Sequence, residues 1–110
     1  MGKLVRDRIP DLPDLPGEKA VYRTLDSKEF RRELFAKLVE EALEAQAACE
    51  DPKTGSNMDH IAKELADLLC VMRTVCSVSH LSWQYVLDME AQKLLERGGF
   101  SRRMYREVSE

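Results

Sequence analysis

Four acidic residues of this chain stand at positions where a helix would carry apolar side chains. At about 100° per residue, Glu41 points in nearly the same direction as Leu34, Leu38 and Ala45. Glu44 lies on the edge of that face, and Glu40 one step further round. In the next helical stretch Glu64 falls between Leu68 and Val71 in direction, and Asp67 sits at the rim beside Val71 and Val78. Charged carboxylates do not enter a buried stripe unless a cation or a donor compensates them.

The spacing of these acids narrows the chemistry. Glu41 and Glu44 are i,i+3 partners, as are Glu64 and Asp67, so each pair projects from one side of its helix. With the connecting loop centred near Thr54, Glu44 and Glu64 are each ten residues from the centre, and Glu41 and Asp67 thirteen. Equal offsets sit at equal heights in an antiparallel hairpin, so four carboxylates are expected to converge on one patch. Four such charges crowd together only if protonated or neutralised. Hard oxygen donors without His or Cys favour Mg²⁺ or Mn²⁺ over zinc. Two divalent ions balance four carboxylates, the arrangement of a binuclear phosphoryl-transfer centre. A single such pair in so acidic a chain would merely solvate its helix. Two pairs on apolar faces and in register favour a metal site.

The elements that must position these acids are helical. Asp26 with Glu29 has capping-box spacing. Phe30, Leu34, Leu38, Ala42 and Ala45 then repeat at helical period. Asp51-Pro52-Lys53-Thr54-Gly55 ends that helix, and Ser56 with Asp59 makes a second capping box. Ile61, Leu65, Leu68, Met72, Val75 and Cys76 form the second stripe, broken at His80-Leu81-Ser82. Ser82 caps a third helix with Val86, Leu87, Ala91, Leu94 and Leu95 inward, stopped by Gly98-Gly99. From Met1 to Leu25 the chain is irregular, because Pro10, Pro13, Pro16 and Gly17 forbid a continuous helix. Lys3-Leu4-Val5-Arg6 and Ala20-Val21-Tyr22-Arg23 could form short extended pieces. The fold class is all-α: a helical hairpin plus a third helix, in one domain spanning residues 1–110. Three broad apolar faces in so small a chain bury more by pairing, so a homo-oligomer is expected.

Composition excludes several classes. A net charge of −3, from 17 Lys and Arg against 20 Asp and Glu, disfavours binding to a nucleic-acid duplex. The longest apolar run, Leu68-Leu69-Cys70-Val71-Met72, is too short to span a bilayer, and no membrane partner is expected. Lys3, Arg6, Asp7 and Arg8 interrupt any signal-peptide core. Cys49, Cys70 and Cys76 have no paired spacing, which points to reduced thiols and a cytoplasmic setting. No nucleophilic triad and no phosphate-cradling glycine loop is legible.

Glu40-Glu41-Ala42-Leu43-Glu44 followed by Glu64-Leu65-Ala66-Asp67 resembles the EExxE…ExxD motif of the all-α nucleotide pyrophosphohydrolases. That superfamily includes MazG-like proteins, dimeric dUTPases and phosphoribosyl-ATP pyrophosphohydrolase. The opening Lys3-Leu4-Val5-Arg6-Asp7-Arg8-Ile9-Pro10 and the closing Arg97-Gly98-Gly99-Phe100 look like a small MazG-like, house-cleaning branch. The resemblance implies Mg²⁺-dependent hydrolysis of a nucleoside triphosphate, standard or non-standard, to the monophosphate and pyrophosphate. It also implies that Glu41, Glu44, Glu64 and Asp67 hold the metal, and that dimers or tetramers complete a four-helix core. Lys93 and Arg97, one turn apart near the end of the third helix, are equally suited to phosphate contact or to the helix terminus by spacing alone. The resemblance assigns them to phosphate, and places Lys3 and Arg6 across the nucleotide site. Arg6 beside Asp7 could equally serve to anchor the N-terminal segment. Phosphoribosyl-ATP pyrophosphohydrolase is the alternative within enzymes, and a non-catalytic helical oligomerisation module the alternative of another class.

Overall fold

The computed structural model describes residues 2–52 and 58–108. A short 3₁₀ turn, Ile9–Asp11, precedes three α-helices: α1, Ser27–Glu50; α2, Met58–Val78; and α3, Trp83–Arg97. No strand forms among the described residues, so the two candidate extended pieces do not pair. The chain is all-α.

Helix α1 starts as its sequence dictates. The Asp26 side chain accepts from the Glu29 amide at 2.8 Å, and the Glu29 carboxylate accepts from the Asp26 amide. Arg23 reaches back to Glu29 at 2.9 Å and holds its pKa down at about 2, tying the N-terminal segment to the first turn of α1. The Asp51 amide closes the far end on the Ala47 carbonyl. Thr54, at the expected loop centre, and Ser56, the expected cap of α2, lie outside the described residues.

Helices α1 and α2 pack along their length as a hairpin. The buried core consists of Leu34, Ala45 and Ala48 of α1 and Val71 and Cys76 of α2. The Arg31 guanidinium donates to the Val78 carbonyl, joining α1 to the last residue of α2. The stripes differ in detail from those expected. Ala42, Leu65 and Met72 are exposed, while Val71 and Ala48 are buried. Each apolar face is wider than one neighbouring helix can cover, so the hairpin chooses one edge of it.

Helix α2 ends in a Schellman turn. The Leu81 amide donates to the Cys76 carbonyl at 2.8 Å and the His80 amide to the Ser77 carbonyl, with His80 at φ 55°. Ser82 then caps α3 by accepting from the Tyr85 amide at 3.3 Å. The turn bends the path by 114° between α2 and α3. Arg73 lies over the Trp83 ring at 5.4 Å, anchoring the start of α3. Beyond this point the expected inward stripe of α3 is not covered. Only Val86 is half-buried, whereas Leu87 and Ala91 are exposed, Leu94 is 57% exposed and Leu95 89%. The cause is geometric: α3 leaves the hairpin at a steep angle and packs on α2 alone. No single described helix is long and apolar enough to cross a membrane.

Candidate metal centre

The hairpin brings three of the four expected carboxylates together. One oxygen from each of Glu41, Glu64 and Asp67 lies within 4.8 Å of the others. Helix α1 presents Glu41 from its buried face, one turn before Ala45. Ala45 and Ala48 continue the same buried face of α1, and α2 brings Glu64 and Asp67 to it. Glu41 is 7% exposed. Glu64 and Asp67 are half-buried at the rim.

The electrostatics are unfavourable without a cation. Oε2 of Glu41 and Oε2 of Glu64 are both buried and accept no hydrogen bond from the described residues. Burial pushes the Glu41 pKa up, the neighbouring Glu44 carboxylate pushes it further, and Asp67 adds a little. Lys37, one turn earlier on α1, opposes this shift from 3.6 Å. An ionised group in this position has lost water without gaining a full set of donors. The donor set is all oxygen and all anionic, which suits a hard divalent cation such as Mg²⁺ or Mn²⁺.

Glu44 does not join the three-carboxylate group and is exposed. Glu40 also faces outward, 3.9 Å from Lys37, as its helical angle requires. Two cations border the group instead. Lys37 is one, and its i,i+4 spacing to Glu41 is the sequence signal for it. Arg6 is the other. Its Nη2 donates to Oδ1 of Asp67 at 2.6 Å, and its Nη1 lies 3.5 Å from Sγ of Cys70. Arg6 thus binds Asp67 on α2 and makes no ion pair with its neighbour Asp7. Lys3 lies on a cleft of about 750 Å³ between the N-terminal segment and the start of α1, and Arg6 lines the same cleft. Lys93 and Arg97 are exposed in the last turns of α3 and pair with no described residue. No contact joins α3 to α1.

Over 48 residues, 44% of its length, the chain is 50% identical to an uncharacterized protein of Mycolicibacterium smegmatis (strain ATCC 700084 / mc(2)155). The match spans 49% of that protein, so the chain covers about half the length of this relative. No protein-family model matches the chain, and no solved structure matches it.

Proposed function

We propose that this chain is a nucleoside triphosphate pyrophosphohydrolase, releasing the monophosphate and pyrophosphate with Mg²⁺, or Mn²⁺, at the carboxylate group. The observation that carries the reading is the convergence of Glu41, Glu64 and Asp67 with two buried carboxylate oxygens left without partners. The resemblance of Glu40–Glu44 and Glu64–Asp67 to the EExxE…ExxD motif supports the same reaction class. Glu41, Glu64 and Asp67 would hold the metal, with Glu44 completing the set at the exposed edge. A cation bound there supplies an acidified water and offsets phosphate charge.

The chain's own residues have separable tasks. Glu41 and Glu64 accept through the oxygens now unpartnered. Arg6 borders the group through Asp67, and Lys3 lines with Arg6 the cleft at the start of α1, where their charge suits a polyphosphate. Lys93 and Arg97 extend unpaired cations from α3, available to a triphosphate on this copy or another. A homodimer or homotetramer belongs to the same reading, since the uncovered stripe of α3 supports association. A cytoplasmic setting suits a Mg²⁺–nucleotide substrate.

The test is a panel of standard and modified nucleoside triphosphates with Mg²⁺, with products separated by ion exchange. Monophosphate and pyrophosphate in equal amounts, lost on chelation, is the expected outcome. Orthophosphate release without pyrophosphate rejects the reaction class. No Mg²⁺-dependent turnover across the panel favours the oligomerisation module.

A further inference from the structure

We propose that Arg6 is a resident counter-ion of the carboxylate group, which a divalent cation displaces and which then serves the polyphosphate. This rests on the metal-centre reading above and adds a role that the reading does not require.

Arg6 uses both guanidinium nitrogens on α2, meeting Asp67 at 2.6 Å and Cys70 at 3.5 Å one turn later. Through these two contacts the N-terminal segment reaches the edge of the carboxylate group. Arg6 and Asp67 are both well exposed to water, at 58% and 42% of their side chains. Exposed pairs of this kind are weak and easily exchanged. Asp67 shares its surroundings with Glu41 and Glu64. A divalent cation held by this group would have to share Asp67 with Arg6. The doubly charged ion then outcompetes the single, delocalised charge of the guanidinium, and repels it.

The freed side chain has a defined destination. Arg6 forms part of the wall of the 750 Å³ cleft, together with Lys3 and Arg23. Arg23 is already held by Glu29. Lys3 has no polar partner among the described residues. Arg32 and Glu33 in the same wall pair at 3.9 Å, which leaves Lys3 and a displaced Arg6 as two cations against the single carboxylate of Asp7. Arg6 offers the fork geometry that phosphate oxygens accept in pairs. Cation entry and readiness for a polyphosphate are thereby linked through one side chain.

The test combines Mg²⁺ titration calorimetry with hydrogen exchange over residues 2–8, on wild type, Arg6→Ala, Arg6→Lys and Glu64→Gln. Without nucleotide, Arg6→Ala should bind Mg²⁺ about two- to fivefold more tightly, as expected for removal of a weak competing pair. Arg6→Lys should fall between it and wild type. Mg²⁺ should speed exchange in residues 2–8 of wild type and leave Arg6→Ala unchanged. Mg²⁺ binding that Glu64→Gln abolishes but Arg6→Ala leaves equal or weaker overturns the exchange alone. An N-terminal segment unmoved by bound Mg²⁺ does the same. No Mg²⁺ binding in wild type overturns both the metal centre and the exchange.

Discussion

Glu41 sits in the wall of a two-helix hairpin with one carboxylate oxygen buried and unpaired. Its folded-state pKa is raised, first by burial and then by Glu44. The sign of the linkage follows. A carboxyl with a raised folded pKa adds stability when protonated, fully below its unfolded pKa, and that stability is lost as pH rises through the folded value. Without metal, a negative charge on Glu41 is therefore a burden on the fold. Glu41→Gln should raise metal-free stability at pH 7 by on the order of 1 kcal/mol, and the gain should shrink as pH falls toward the ordinary carboxylate range. The Mg²⁺-induced rise in melting temperature should shrink too. Melting curves of wild type and variant at pH 5 and pH 7, with and without Mg²⁺, check both signs. A less stable variant with a wild-type Mg²⁺ response would mean that Glu41 serves only the fold. The position of Glu41 was legible because the helical period fixes direction within one element. The Arg6–Asp67 pair was not, since it joins residues 61 apart and depends on the path of an irregular segment.

Two of the three expected side-chain caps lie among the described residues, and both form. Asp26 with Glu29, and Ser82, both bond as their spacing implies. Asp26→Ala should lower stability by about 1 kcal/mol through loss of the first cap. The opposite effect is expected at His80, which occupies the left-handed position after α2 that glycine adopts without strain. His80→Gly should raise stability by about 0.5–1 kcal/mol. Urea denaturation midpoints of the two variants against wild type measure both changes, and an unchanged His80→Gly would place the cost elsewhere. The breaker itself was visible in His80-Leu81-Ser82; the 114° bend was not, because it is set by backbone dihedrals and not by residue class. The same gap explains α3. Periodicity establishes that Leu87, Leu94 and Leu95 share an apolar side, but says nothing of what covers it.

Across the whole molecule, the open shape accords with that bare stripe. The radius of gyration is 18.1 Å, against about 13 Å for a compact domain of this length. Phe35, Val39 and Leu43 on α1, and Leu65, Leu69 and Met72 on α2, are also exposed. Apolar surface on this scale marks an interaction face, and the proposed association covers it. Sedimentation at micromolar concentration should give at least twice 12.6 kDa, and Leu69→Asp should shift the mass toward one chain; a monomeric wild type removes the assembly. The uncovered stripe of α3 also bears on abundance. If another copy supplies its cover, each chain acts as a ligand for its neighbour's native state, and folding draws on how much protein is present. A tenfold dilution then withdraws about 1.4 kcal/mol from each dimer, so scarcity itself would loosen α3 before anything touched the carboxylates.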